Sequence, residues 1–335
     1  MRRIKLPFAG LAVYFIDREL ALKRVFDWAE KGTYPVQVVF GPEGCGKTAW
    51  LRQSAELLKD MGFDVIYFNP IERDVFVELG FHDLKRDFMR LVEELSKQHM
   101  AANIAWNIID FARRAVEHGS KRIAILVDDV FQDIGISKSA IYVKGLLGLL
   151  EHPPREYERI VAVVATSEGA SRREIGKHDW ADLIPMWNMG RGGFEQLYNL
   201  LPDPKPEFEY IWRVTGGNPR YLEQLYKANW IADKIVERIV ERKNVTPGFV
   251  ARWREWLEKA VEDPDVLWEP GIPQELVDEL IEKNLIVYFL SKRDPWFWVD
   301  IPPPEKDLEL GIGRYVAWQT PLHREAIRRV LKMYN

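Results

Sequence analysis

Residues Gly41–Thr48 follow the pattern G-x-x-x-x-G-K-T, and these residue types suit the binding of a phosphate chain. Separated glycines let the backbone curl so that successive N–H groups face phosphate oxygens. The helix that follows would offer its N-terminus to the same anion. Lys47 would reach the terminal phosphates, and the hydroxyl of Thr48 would bind Mg²⁺. The alternative is a glycine-rich turn whose lysine is simply solvated.

The loop therefore predicts a site for ATP or ADP with Mg²⁺. Lys47 is also given a catalytic role, because it would meet the phosphoryl group that is transferred. Cys45 lies in the loop, where a thiol near a helix N-terminus can be reactive. A small residue that fits the loop is the simpler interpretation. The residues assigned to nucleotide binding are Pro42, Glu43, Gly44, Cys45, Gly46, Lys47, Thr48 and Ala49.

Two carboxylates follow an apolar run at residues 123–127, as a phosphate loop requires of a second strand. Asp128 would hold Mg²⁺ through its water shell. Asp129 would orient the water that attacks the terminal phosphate. The alternative is that the pair only caps a helix or forms a turn.

Thr166 ends the next apolar run, where a short polar side chain could touch the terminal phosphate or the attacking water. Ser167 is the second choice for this contact. Both residues could equally serve as ordinary caps of the helix that begins near Ser171.

The first two-thirds of the chain alternates short apolar runs with helical patterns. Runs this apolar are typical of a parallel sheet with helices on both faces. The sequence therefore predicts an α/β fold with three layers, followed by helices after residue 192. The predicted strands of the sheet are Val36–Phe40, Val65–Asn69, Ile123–Val130, Ile160–Thr166 and Leu183–Met189.

Three further stretches accompany the loop: FIDREL at 15–20, LVDD at 126–129 and TGGNPR at 215–220. Together they resemble the archaeal ATPase family, in the STAND branch of P-loop NTPases near the AAA+ proteins, over about residues 8–228. The resemblance implies that Phe15 and Arg18 line the adenine side. It also implies that Pro219 opens a lid helix against the nucleotide and that Arg220 contacts phosphate. A plain helix–helix corner is the alternative for this turn.

The family often places a winged-helix domain after its helical lid, and the C-terminal pattern fits this order. A Pro- and Gly-rich stretch at 263–273 is typical of a linker. Beyond it we expect helices at 274–284 and 322–333, with short strands at 285–290, 296–301 and 315–319. The expected domains are a P-loop NTPase core (1–192), a helical lid (193–262) and a winged-helix-like domain (263–335).

Composition limits the function classes. The net charge of −4 argues against a general nucleic-acid coat but allows a local basic surface. A single cysteine and the absence of a long apolar stretch favour a cytoplasmic location and no membrane partner. No arginine-rich lid of the kind that serves a small-molecule kinase is evident. Candidate arginine fingers are Arg172, Arg173 and Arg191.

Two functions remain open for an ATPase of this kind. The first couples ATP hydrolysis to a rearrangement of the lid and C-terminal domain, with DNA as a possible substrate. DNA would meet an aromatic segment at 294–298 and a basic helix that carries His323, Arg324, Arg328, Arg329 and Lys332. The alternative is that Trp296 and Trp298 face the core and that the basic helix is a solvated face. The second is a slow signalling switch whose output is binding to a protein partner or self-assembly.

Overall fold

The computed structural model describes residues 2–72, 74–98, 100–167, 169–288 and 290–333. Contacts within the chain divide these residues into two units. The first unit comprises residues 2–4, Glu19–Phe40 and Lys47–Ile184. The second comprises Lys5–Arg18, Gly41–Gly46 and residues 185–333.

The elements are numbered in chain order. The strands are β1 (Lys5–Phe8), β2 (Leu11–Tyr14), β3 (Val36–Phe40), β4 (Asp64–Asn69), β5 (Asp74–Glu78), β6 (Arg122–Asp128), β7 (Arg159–Thr166), β8 (Ala181–Pro185), β9 (Ile286–Tyr288) and β10 (Val316–Trp318). The α-helices are α1 (Glu19–Lys31), α2 (Lys47–Asp60), α3 (His82–Lys97), α4 (Ala101–Glu117), α5 (Phe131–Ile134), α6 (Ser139–Glu151), α7 (Gly169–Ile175), α8 (Arg191–Asn199), α9 (Phe208–Thr215), α10 (Pro219–Lys227), α11 (Ala232–Arg242), α12 (Pro247–Arg252), α13 (Arg254–Ala260), α14 (Gln274–Glu282) and α15 (Pro321–Met333).

A six-stranded sheet in the order β5-β4-β6-β7-β3-β8 forms the centre of the first unit. The β4–β6, β6–β7 and β7–β3 pairs are parallel, whereas β5 runs antiparallel to β4. Apolar side chains from α4 and α6 pack on one face of the sheet. Side chains from α1 and α2 line the other face together with Leu126 and Val163. The three-layer P-loop NTPase fold expected from the sequence is confirmed.

The strands of this sheet read as continuous apolar runs because both of their faces are covered. In β6, Ile123, Ile125 and Val127 belong to the core on the α4 and α6 side, while Leu126 faces the opposite layer. This alternation is the period of two expected for a strand. Since β6 and β7 are parallel and in register, with Asp128 beside Ala165, their carboxyl ends meet at one edge of the sheet.

The second unit is mostly helical. One of its cores lies among α8, α9, α10 and α11, and includes Leu322 and Ala326 of α15. A second core lies among α12, α13 and α14, and includes Ile327 and Val330 from the same α15. Two small antiparallel sheets complete the unit, β1 with β2 and β9 with β10. Helix α15 thus contributes to both of these cores.

Several sequence expectations need correction. The strand expected at 296–301 is wrong, because Pro295–Phe297 forms a 3-10 turn that Asp294 caps. Trp298 is buried next to this turn and donates its ring N–H to the carbonyl of Lys292 at 2.6 Å. The single helix expected at 247–261 ends at Trp253 and restarts as α13. The last strand of the sheet is Ala181–Pro185 rather than Leu183–Met189.

Other elements had no sequence prediction, namely α1, the β1–β2 pair and the antiparallel edge strand β5. The stretch expected to be a linker carries a 3-10 turn at Pro264–Trp268, and its Leu267 is buried with α13 and α14. Phe289, part of the strand expected at 285–290, lies outside the described residues. No helix in the described part of the chain is long and apolar enough to cross a membrane.

Candidate functional site

The phosphate loop adopts a backbone that requires glycine at particular positions. Gly44 and Gly46 have φ angles of +77° and +105°, a backbone conformation that residues with a side chain rarely adopt. At Gly41, a Cβ atom would lie 1.9 Å from the carbonyl oxygen of Met186. A turn inside the loop joins the N–H of Cys45 to the carbonyl of Pro42 at 3.2 Å. The spacing of the motif is therefore a requirement of the backbone.

Arg18 supports the loop backbone from a buried position. Its guanidinium donates to the carbonyl of Cys45 at 2.5 Å, to the carbonyl of Trp187 at 3.0 Å and to Asp300 at 2.7 Å. The residue has a φ of +67°, a conformation that costs a non-glycine residue free energy. Phe15 is also buried. The adenine-side role expected for Phe15 and Arg18 stays a prediction, and the guanidinium of Arg18 is occupied by protein acceptors.

Glu43 connects the loop to residues far along the chain. Its N–H donates to Oε1 of Gln319 at 2.8 Å, and its carbonyl accepts from Nδ2 of Asn218 at 2.9 Å. Its carboxylate accepts from Arg220 at 2.5 Å, from Lys243 at 2.7 Å and from Asn284 at 3.4 Å. The loop residue is thus bonded through both its backbone and its side chain.

Helix α10 begins at the loop. Pro219 occupies its first turn, where the missing N–H costs nothing, and Asn218 caps it by accepting from the N–H of Tyr221 at 3.3 Å. The N–H of Arg220 donates to the carbonyl of Gly44 at 3.4 Å. The Gly-Gly-x-Pro turn therefore brings Arg220 to the loop, where it forms an ion pair with Glu43. The contact of Arg220 with phosphate stays a prediction.

In the first unit, Asp128 is the last residue of β6 and lies at the edge of the sheet where the parallel strands end. It is fully buried at the end of β6, and its Oδ2 accepts from Asn69 at 2.9 Å and from Tyr67 at 3.5 Å. Its Oδ1 is buried and has no hydrogen bond of good geometry among the residues that the structure describes. Burial, and then the charge of Asp129, raise the pKa of Asp128, while the Thr48 hydroxyl and Lys47 act in the opposite direction.

A buried carboxylate oxygen of this kind fits a divalent cation or a water molecule that the cation holds. Magnesium takes one or two protein oxygens and fills its shell with water and substrate phosphate. The hydroxyl of Thr48 and the carboxylate of Asp128 could supply those oxygens, and a nearby positive charge would lower the pKa of the carboxyl. The residues present therefore fit Mg²⁺. Lys47, at the start of α2, is almost fully buried.

Asp129 follows directly and has a φ of +46°, which is uncommon for a non-glycine residue although aspartate adopts it more often than most. Its N–H donates to the carbonyl of Ala165 at 2.9 Å, and its Oδ1 accepts from the N–H of Ser167 at 3.1 Å. These two bonds tie the end of β6 to the end of β7. Strained residues of this kind concentrate at functional sites.

Thr166 lies at the buried end of β7, and its hydroxyl is 3.3 Å from that of Ser171. Ser171 belongs to α7, but a contact between two hydroxyls is not a helix cap, so the choice between the two roles stays open. The contact of Thr166 with phosphate stays a prediction.

The arginines considered as arginine fingers also contact protein groups. Arg172 lies 4.1 Å above the ring of Phe40, and burial lowers its pKa to about 10. Arg191 forms an ion pair with Glu209 and lies over the ring of Phe208.

The basic face expected on the last helix is wrong in part. His323 is fully buried, and its ring nitrogens lie 2.9 Å from the Thr320 hydroxyl and 3.2 Å from the Tyr221 hydroxyl. Arg328 pairs with Glu262 and Glu325. Arg329 likewise pairs with Asp233 and Glu237. These acidic neighbours could not be predicted, because the pattern of one helix does not show which residues pack beside it.

These features were compared with known proteins. Residues 15–225 match the model of a family described as an ATPase domain predominantly from Archaea. The match covers well over half of the chain. The chain belongs to this family. The matched region contains the phosphate loop, both aspartates and Arg220.

Solved structures similar to this chain include DnaA from Aquifex aeolicus bound to AMPPCP, with 19% identity, a TM-score of 0.40 and coverage of 74% of this chain and 75% of that chain. The Aeropyrum pernix ORC1 protein in complex with DNA has 13% identity, a TM-score of 0.37 and coverage of 95% and 93%. PCH-2 from C. elegans has 16% identity, a TM-score of 0.30 and coverage of 57% and 49%. No curated protein matches the chain significantly.

Sequence reasoning missed Asn218, Lys243, Asp300 and Gln319 as residues that support the loop. Only Asn218 carried a local signal, because an asparagine before a proline at a helix start is a common cap. The other three act through contacts across 200, 282 and 276 positions.

Proposed function

We propose that this chain binds Mg-ATP and hydrolyses its terminal phosphate bond. The observation that carries the proposal is Asp128, a buried carboxylate with an oxygen left without a good hydrogen bond at the sheet edge. Such a group is costly unless a ligand pairs with it. The loop glycines, Lys47 and Thr48 precede it in the order that a phosphate loop requires.

Each residue has a stated role in this proposal. N–H groups of the loop and the Lys47 ammonium bind the phosphates, while Thr48 and Asp128 hold Mg²⁺. The metal supplies positive charge that offsets the charge developing on the transferred phosphoryl group. Asp129 orients the attacking water, and its strained backbone fixes the direction of its carboxylate. Thr166 would contribute a hydroxyl to the water or the phosphate.

We further propose that nucleotide turnover changes the arrangement of a helical lid (193–262) and a winged-helix-like C-terminal domain (263–335). The bonds of Asn218, Arg220 and Lys243 with Glu43 support a link between the loop and the helices. A ligand that alters the loop would act on these bonds directly.

A slow switch is the second candidate, and the arginines favour it. The guanidinium of Arg172 lies over Phe40 and Arg191 pairs with Glu209, so turnover in the isolated subunit would be slow without an arginine from a partner. The output of the switch would then be binding to a protein partner or to a second copy of the chain. The ion-paired state of Arg328 and Arg329 makes DNA binding by α15 the weaker option.

Phosphate release from Mg-ATP by the purified chain tests the proposal. We expect Lys47→Ala to abolish turnover, because the positive charge of the loop motif is lost. Asp128→Asn should impair the use of Mg²⁺ more than nucleotide affinity in EDTA. Reactions with duplex and with single-stranded DNA separate the DNA-coupled enzyme from the switch. Normal turnover in both variants would refute the assigned site.

A further inference from the structure

Glu43 occupies the variable part of the phosphate loop, yet every polar atom of this residue has a partner in the second unit. Its N–H, its carbonyl oxygen and both carboxylate oxygens are all hydrogen-bonded. Three of the partners, Lys243, Asn284 and Gln319, lie beyond residue 225, where the match to the ATPase family ends. The family region by itself therefore lacks part of what holds its own loop.

The carboxylate of Glu43 forms ion pairs with Lys243 and Arg220. Burial by itself raises the pKa of Glu43, but Lys243 and then Arg220 outweigh it and bring the pKa down to about 2. The side chains of Lys243 and Glu43 are only 17% and 32% exposed. Ion pairs that are partly withdrawn from water depend strongly on keeping both partners.

Other contacts near Glu43 are hydrogen bonds that uncharged amide side chains make with one another and with the backbone. Asn218 donates to Oδ1 of Asn188 at 2.8 Å, and Asn188 donates to the carbonyl of Gln319 at 3.1 Å. Gln319 also donates to Asn284. Asn188, Asn218 and Gln319 are almost fully buried, so each lost bond would leave a buried polar group without a partner.

Two roles for Glu43 are compatible with an acidic side chain in such a loop. It could compete with phosphate for Arg220, which would need the carboxylate alone. The backbone bonds to Gln319 and Asn218 instead restrain the loop at the peptide groups on either side of the Glu43 Cα. Restraint of the backbone favours a role in shaping the loop, because the loop binds anions through its peptide groups.

We infer that Glu43 is a positioning residue through which Lys243, Asn284 and Gln319 hold the phosphate loop in its binding shape. The inference rests on the proposed function, since it concerns the same loop. It implies that the ATPase domain depends on residues outside the family region. By thermodynamic linkage, a nucleotide that binds the shaped loop also stabilises these contacts.

A double-mutant cycle on nucleotide affinity tests this inference, using calorimetric titration of the full chain with ADP and with a non-hydrolysable ATP analogue. We expect Glu43→Gln and Lys243→Met each to weaken both nucleotides by about tenfold, within the range of coupling between sites. The double variant should be no weaker than Glu43→Gln, because loss of the Glu43 carboxylate already removes the ion pair through which Lys243 acts. Lys243→Arg, which keeps the charge, should retain most of the affinity.

Arg252→Met and Glu279→Gln are the matched controls, since this ion pair joins α12 to α14 in the same unit. They should leave affinity unchanged. Losses that add in the double variant, unchanged or tighter binding in the single variants, or equal losses in the controls would each overturn the inference. A wild-type chain that binds neither nucleotide would instead refute the proposed function, so the two failures are distinguishable.

Discussion

Arg18 and Asp300 form a buried ion pair, with Nη1 of Arg18 2.7 Å from Oδ2 of Asp300, across 282 positions of the chain. Their side chains are 3% and 2% exposed. The same guanidinium donates to the carbonyl of Cys45 in the phosphate loop. The pair therefore connects a residue near the C-terminus to the loop backbone through a single side chain.

Asp300→Ala should destabilise the chain by about 3–5 kcal/mol, because it leaves the Arg18 charge buried without its partner. Asp300→Asn keeps a hydrogen-bond acceptor and should lose less. Urea unfolding of the nucleotide-free chain measures both. Glu305→Ala is the control, since Glu305 pairs with Arg314 at the surface and its loss should matter much less. Similar losses for Asp300→Ala and Glu305→Ala would contradict this prediction.

Asp129→Asn should leave nucleotide affinity nearly intact and slow hydrolysis by about 100-fold or more, as expected when a group that directs the attacking water is lost. Asparagine tolerates the positive φ at this position and can still accept from the N–H of Ser167, so the backbone should be preserved. Single-turnover phosphate release measures the rate.

Asp133→Asn is the matched control for that measurement, because Asp133 is a nearby exposed carboxylate in α5. Its rate should equal that of the wild type. A normal rate for Asp129→Asn would remove Asp129 from the catalytic residues.

His323 predicts a pH dependence of stability. Burial, and then the charge of Lys243, lower the pKa of His323 from 6.5 to about 3, although Glu43 acts in the opposite direction. A depressed histidine pKa stabilises the fold above the unfolded value of 6.5, and this stability is lost as the pH falls from 6.5 towards 3. The loss should approach about 1.4 kcal/mol per pH unit.

Urea unfolding at pH 7, 6 and 5 checks this prediction, with His323→Gln as the comparison. Glutamine keeps polar atoms for Thr320 and Tyr221 but does not titrate. The wild type should lose more stability than His323→Gln over this range, where Glu43 stays ionised. Parallel pH profiles for the two proteins would show that His323 is not the group responsible.

The sheet and the phosphate loop could be predicted because their signals are local. Val36–Phe40 is a strand with the bounds expected, and Gly44 and Gly46 have the positive φ angles that the motif implies. Asp128 and Asp129 could be located because a buried strand ends at them. These features depend on neighbouring residues, so one short segment contains the information.

The support of the loop could not be predicted, because it depends on contacts between distant segments. The partners of Glu43 lie 175 to 276 positions away, and nothing in the residues around 243 or 319 marks them. The burial of His323 depends on α10 packing beside α15 through Tyr221. Trp296 and Trp298 are two residues apart, yet Trp296 is 74% exposed and Trp298 is 1% exposed, because a 3-10 turn replaces the expected strand.

Arg220 lies where the phosphate loop meets helix α10. A Cβ atom on Gly44 would lie 2.4 Å from the Cβ of Arg220, so the two segments are in direct backbone contact. The side chain of Arg220 is nevertheless 48% exposed, and one of its nitrogens pairs with Glu43. A guanidinium has five N–H donors, so it can keep this pair and still present donors to phosphate oxygens.

Arg220→Ala should therefore weaken the binding of an ATP analogue more than that of ADP, because only the former has a terminal phosphate for the remaining donors. We expect roughly tenfold for the analogue and a few-fold for ADP, in line with a charge-assisted contact. Paired calorimetric titrations measure both, and proteolysis of residues 201–230 reports whether α10 loosens. Arg220→Lys should recover little, because lysine lacks the planar fork.

Lys227→Ala is the control on the same helix, where Lys227 pairs with Glu223, and it should leave both affinities unchanged. Equal losses for the two nucleotides in Arg220→Ala would make Arg220 an anchor of the loop, a role that Glu43 and Lys243 share. No loss for either nucleotide would leave the Gly216-Gly217 turn as a plain corner between helices. In that case the proposal that the lid responds to the terminal phosphate through α10 would be refuted, because Arg220 is the side chain through which α10 would sense that phosphate.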